Sequence, residues 1–161
     1  MLSSLMSPVR LLTVALLTLS LVLTMVAGYT VSPAVPKASA ALISAAKADV
    51  AADWARSRKG MPYQYGATGP KSFDCSGLTQ WAYSRVGKAL PRTSGAQAQA
   101  VERIKPENRR RGDLVFYYNS GGVYHVSIYA GNNQIWHASR TGLPVKRDRL
   151  WSGSRFYGRV K

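Results

Sequence analysis

The chain has 161 residues, 46% of them hydrophobic and including four Trp and nine Tyr, which excludes a disordered chain and suits one domain with a real core. All seven acidic residues and all but two of the 22 basic ones, Arg10 and Lys37, fall in residues 41–161, so that stretch carries +13 and points to a polyanionic partner. Cys75 is the only cysteine, which excludes an internal disulfide and any multi-thiolate zinc or iron–sulfur site.

Residues 1–40 read as an export segment. Arg10 precedes the apolar run 11–27, Pro33 and Pro36 break any helix, and Ala38-Ser39-Ala40 offers the small-x-small pattern of signal cleavage. An uncleaved anchor is the rival, since about 20 apolar residues span a bilayer. Either way residues 41–161 form an extracytoplasmic domain, secreted or in the cell envelope. Its polyanion is then wall polymer, or lipid if the segment is uncleaved, and not nucleic acid.

Within that domain the alanine-rich stretch from Ala41 to Arg58 is expected to be an amphipathic helix. Val50 and Trp54 lie four apart on one face, as do Asp49 and Asp53, and Gly60-Met61-Pro62 ends the helix. Residues 63–73 carry Gly66, Gly69 and Pro70 among aromatics and read as an ordered loop. A second helix follows from Cys75 to Val86, with Leu78, Trp81, Ala82 and Val86 at helical spacing and Asp74 as N-cap. A short helix is expected from Arg92 to Val101. Four strands then follow, Gly112 to Tyr118, Val123 to Ala130, Gln134 to Ala138 and Arg155 to Val160, each rich in β-branched and aromatic residues. Helices first and strands second argue for an α+β fold.

This arrangement sets Cys75 in the first turn of a helix, where free N–H groups stabilise an anion and would depress the thiol pKa. A thiolate attacking an amide needs a proton donor for the departing amine, and His125 and His137 are the only histidines. A three-residue loop of Gly131, Asn132 and Asn133 would pair Ser127 with His137. The two histidines would then share one face about 7 to 8 Å apart at Cα, whereas a two-residue loop would put them on opposite faces. His125 would then act on Cys75 and His137 would orient it. A zinc site of His125, His137 and Asp113 lacks tight ligand spacing.

Met61-Pro62-Tyr63-Gln64-Tyr65-Gly66, Phe73-Asp74-Cys75-Ser76-Gly77-Leu78, Leu90-Pro91-Arg92-Thr93-Ser94 with Gln97, Gly112-Asp113-Leu114-Val115-Phe116, His125-Val126 and His137-Ala138-Ser139 together resemble the NlpC/P60 family in order and spacing. The resemblance covers roughly residues 45–160. It implies a papain-like α+β core with the catalytic Cys at a helix N-terminus packed on an antiparallel sheet. Carried over residue by residue, Cys75 is the nucleophile, His125 the base and His137 its orienter. Tyr63, Asp74 and Ser76 become substrate-binding or oxyanion candidates beside the Cys75 amide. Arg92 and Gln97 read as a surface arginine and a loop-bracing amide. Gly66-Ala67 and Tyr65 depart from the family's usual two glycines and tryptophan.

The resemblance further implies a monomeric peptidoglycan endopeptidase that cuts the γ-D-glutamyl to diamino acid bond of stem peptides through a thioester, with no metal or organic cofactor. A related thiol amidase or acyltransferase, or a non-catalytic basic wall-binding module, would use the same fold.

Overall fold

The computed structural model describes residues 41–161; the export segment expected over residues 1–40 lies outside them. Three helices, α1 (Ala45–Ser57), α2 (Cys75–Ser84) and α3 (Ser94–Ala100), precede a six-stranded sheet. The strands are β1 (Glu102–Ile104), β2 (Leu114–Asn119), β3 (Gly122–Gly131), β4 (Gln134–His137), β5 (Lys146–Arg149) and β6 (Arg155–Arg159). They lie in the order β1-β6-β2-β3-β4-β5 with every neighbour antiparallel. The expected α+β class holds, and no helix among the described residues is long and apolar enough to cross a membrane.

Strand alternation sorts the sheet into two faces. Leu114 and Phe116 of β2 and Val126 and Ile128 of β3 enter the main core with α1 and α2. Val115, Tyr117, Tyr129, Ile135 and Tyr157 form a second cluster on the opposite face, covered by Leu150 and Trp151. The face of α1 that enters the core is not the one expected. Ala48, Ala51, Ala52 and Ala55 are buried, while Val50 and Trp54 are exposed. Small side chains let the helix sit close to the sheet: a Cβ on Gly112, at the entry to β2, would lie 2.3 Å from the Ala48 carbonyl oxygen. Asp49 and Asp53 instead reach Arg111, at 3.6 and 2.6 Å.

The β3–β4 hairpin also differs from expectation. Its loop has two residues, Asn132 and Asn133, both left-handed at φ 50° and 55°, as a type I′ turn requires. Gly131 pairs with Gln134, but the next pair is Tyr129 with Ile135, so Ala130 is bulged out. The bulge shifts the register by one residue. Continued past Ile128 and Trp136, the ladder sets Ser127 opposite His137, the pairing that the three-residue loop was expected to produce.

Candidate active site

The helical side of the site is built around one carboxylate. Asp74 is extended and caps α2, its Oδ1 accepting from the Gly77 amide at 2.7 Å. Its Oδ2 accepts from the Gly66 amide at 3.0 Å, tying the aromatic loop to the helix. Gly77 has to be glycine for that loop to approach, because a Cβ there would lie 2.1 Å from the Ala67 carbonyl oxygen. Arg92 closes the arrangement, giving Nη1 to Asp74 Oδ1 at 3.1 Å and to Ser76 Oγ at 2.9 Å while Nη2 bonds Oδ2. Burial pushes the Asp74 carboxyl up, but the Arg92 guanidinium and the two amides outweigh it and hold the group below its ordinary value. Gln97, wholly buried, ties the Ser76 and Pro91 carbonyls at 3.0 and 2.8 Å, the bracing role expected of it.

Cys75 opens α2 beside this cap, half-buried in a cavity of about 380 Å³ whose wall includes Tyr63, Asp74, Ser76, Arg92 and Tyr124. Tyr129 donates to Asp113 on the β2 side, so alternation turns the Val126 amide to the other side, where β4 ends at His137. The Val126 amide, in the peptide bond that follows His125, favours the thiolate form of Cys75. The expected depression of the thiol pKa is a correction. Burial pushes it up and the Asp74 carboxylate adds to this, and together they outweigh the Val126 and Ser76 donors. The resting group is therefore a neutral thiol. The Cys75 amide makes no hydrogen bond among the described residues and points from the first helical turn. Tyr63 also stays protonated, its pKa raised by burial and by the neighbouring thiol.

On the sheet side, His125 and His137 stand on one face with the rings in contact, His125 Nε2 lying 3.3 Å from His137 Nδ1. His137 Nε2 lies 3.0 Å from Oδ2 of Asp148 on β5, and Lys146 Nζ lies 2.9 Å from the same oxygen. Trp151 packs against both imidazoles, stacked on His125 at 4.8 Å and edge-on to His137 at 4.9 Å. This cover leaves His125 4% exposed, and burial, with His137 as a smaller cause, pulls its pKa down to about 3. Burial lowers His137 as well, opposed by Asp148. Both imidazoles are neutral at physiological pH.

Cys75, Tyr63, Asp74 and Ser76 thus share one cavity, Tyr124 of β3 lines it too, and His125, the next residue on β3, pairs with His137. Asp113 is engaged elsewhere, by Arg159 at 2.9 Å and the Arg110 amide at 2.7 Å. Among the described residues no three His, Cys, Asp or Glu side chains converge on a point that could hold a metal. Sequence reasoning placed Arg92 on the surface, whereas its guanidinium is a wall of the cavity. It also missed Tyr124, Asp148 and Trp151. Asp148 lies in Lys-Arg-Asp-Arg, a run with no strand signature.

Comparison with known proteins bears on the family and the fold. A family model described as the NlpC/P60 family matches residues 60–155. A protein of Corynebacterium glutamicum named probable endopeptidase Cgl2188 is 44% identical over 128 residues, which are 74% of this chain and 60% of the relative's length. This chain therefore spans less than two thirds of that curated relative. Among solved structures, the P60 domain of antigen MAP1204 from M. avium subspecies paratuberculosis superposes with a TM-score of 0.65 at 32% identity, over 71% of this chain and 95% of that one. RipD from Mycobacterium tuberculosis, described as a non-catalytic NlpC/p60 domain protein adapted to peptidoglycan binding, superposes at 0.60 and 28% identity, over 71% of this chain and 96% of its own.

Proposed function

The chain belongs to the NlpC/P60 family, and from that premise we propose that it is an extracytoplasmic peptidoglycan endopeptidase, cutting the γ-D-glutamyl to diamino acid bond of stem peptides through a thioester on Cys75. One observation carries the reading: a thiol at the N-terminus of a helix, in a cavity that Tyr124 also lines, with the next residue on that strand, His125, buried and paired with His137. Cys75 Sγ attacks the carbonyl as His125 takes its proton. Each group alone prefers its neutral form in this site, but the transfer creates thiolate and imidazolium together, and each stabilises the other. The tetrahedral oxyanion is held by the free Cys75 amide, with the Tyr63 hydroxyl as second donor. His125 then protonates the leaving amine, and later draws a proton from the water that hydrolyses the thioester.

The description of RipD supplies the competing reading, a wall-binding module without turnover. A thiol opening α2 and a contacting His125–His137 pair support the enzyme. Digestion of purified muropeptides by the full chain and by Cys75→Ala, with products read by mass spectrometry, separates the two. A γ-D-glutamyl to diamino acid cut that disappears in the variant supports the proposal. Wall binding with no cut by either protein favours the module, and a different amide or ester product favours a related thiol amidase or acyltransferase.

Wall retention has its own candidate surface. A groove of about 620 Å³ is lined by Arg56, Lys59, Arg111, Lys146 and Arg147 with Trp136. Arg111 and Lys146 are already paired with carboxylates, leaving Arg56, Lys59 and Arg147 without a carboxylate partner among the described residues. We assign this groove to anionic wall polymers. Binding to purified wall should weaken steeply as salt rises, and salt-insensitive binding would remove the assignment.

A further inference from the structure

We propose that Asp148 is a positioning residue that sets the tautomer of His125 through His137, leaving the lone pair of His125 on Nδ1 for the Cys75 thiol. The proposal rests on the assignment of His125 as base to Cys75.

The argument follows the protons. Partial burial pushes the Asp148 carboxyl up, but Lys146 and His137 outweigh it and keep the group below its ordinary value, so at neutral pH it is an acceptor only. Its Oδ2 lies 3.0 Å from His137 Nε2, so that nitrogen carries the proton. A neutral imidazole has one N–H, and His137 Nδ1 is therefore a lone pair. That lone pair faces His125 Nε2 at 3.3 Å, and a contact between two acceptors would be repulsive, so His125 Nε2 must be the donor. His125 Nδ1 is left unprotonated and makes no other hydrogen bond among the described residues. With Asp148 ionised and both rings neutral, this is the one arrangement in which every contact pairs a donor with an acceptor.

Without the carboxylate a second arrangement opens. His137 can move its proton to Nδ1 and donate to His125 Nε2. The His125 proton then sits on Nδ1, where it presents an N–H to the thiol and cannot accept from it. Orientation alone would not create this dependence, because Trp151 holds both rings by packing whichever tautomer they adopt. Asp148 is absent from the wall of the cavity that holds Cys75, so its effect should appear in turnover and not in substrate binding.

The test is Asp148→Asn in the full chain, with nitrogen-15 NMR of the two imidazoles beside steady-state hydrolysis of stem peptides. In the parent protein both histidines should be protonated at Nε2. In the variant Nδ1 protonation should appear, and kcat should fall about 100-fold or more with KM little changed, by analogy with the triad carboxylate that fixes a histidine tautomer. An unshifted tautomer in a folded variant, an unchanged kcat, or a loss confined to KM would overturn the proposal. If the variant does not fold, the parent spectrum decides, since Nδ1–H on His125 contradicts the proposal outright. The NMR readout does not depend on turnover. A failed endopeptidase assignment would show instead as no stem-peptide cut by the parent protein, or as activity surviving in Cys75→Ala, with the tautomers as stated.

Discussion

The two sides of the candidate site are held by opposite means. On the helical side Asp74, Cys75, Ser76 and Gly77 are consecutive, and one carboxylate beside the thiol collects two amides, a hydroxyl and the guanidinium of Arg92. On the sheet side His125, His137, Asp148 and Trp151 come from three strands and a loop, and strand register, ring packing and burial hold them. The first side is largely local, polar and partly open, and the second is long-range, aromatic and closed. A charged cap can hold a nucleophile in place while substrate reaches it, whereas a base that must stay neutral is better served by exclusion of water.

Breaking the chemistry on the helical side should have the largest effect. Cys75→Ala should lower stem-peptide hydrolysis by about 10⁴-fold or more, measured as initial rates, with the circular dichroism spectrum unchanged. Breaking its architecture comes next. Gly77→Ala drives a Cβ into the Ala67 carbonyl, a backbone atom that cannot yield cheaply, and should cost about 3 kcal/mol in denaturant unfolding. A variant as stable as the parent would mean that the loop is not pinned to α2 as described.

Acid separates the two sides. His125 has a folded pKa of about 3, below the unfolded value of about 6.5, so the unfolded chain binds the extra proton between these limits. The stability it contributes is complete above about pH 6.5 and lost as pH falls towards 3, roughly 2 kcal/mol of it between pH 7 and 5. Asp74, also depressed, keeps its contribution until pH falls below about 4. Unfolding of parent and His125→Gln at pH 7 and 5 checks this: the parent should lose more stability over that interval, and equal losses would detach the effect from the sheet side. The smallest change is Arg92→Lys, which gives up the bidentate hold on Asp74. It should cost about 1 kcal/mol, since the guanidinium is over a third exposed.

This contrast also governs how much was legible in the chain. Asp74 as a cap, Cys75 in the first turn and the α+β order follow from short-range rules, and the structure has all three. The pKa of Cys75 was not legible, because burial depends on what folds over the thiol. Arg92 sits 18 residues from Asp74, and nothing local distinguishes it from the other basic side chains. Asp148 escaped because Lys146–Arg149 is a strand only by pairing with β4, and Trp151 because its partners are two histidines brought under it by the sheet. The alanine face of α1 escaped because hydrophobic periodicity looks for large side chains, and here closeness of packing selected small ones.

The bulge at Ala130 has a consequence of another kind. Whether His125 and His137 meet is a question of parity, the odd or even count of residues along the hairpin. With Ala130 paired, the two-asparagine turn has the wrong parity, and bulging Ala130 out corrects it without bringing any reactive group. Drawing that one alanine into the ladder opposite Ile135 would leave a well-formed hairpin and every site side chain in the sequence. The ladder would then set His137 opposite Ile128, on the face that packs under the helices, out of reach of its partner. Deleting Ala130 would keep Tyr129 opposite Ile135 and Ser127 opposite His137, so this hairpin can lose its bulged residue but cannot pair it.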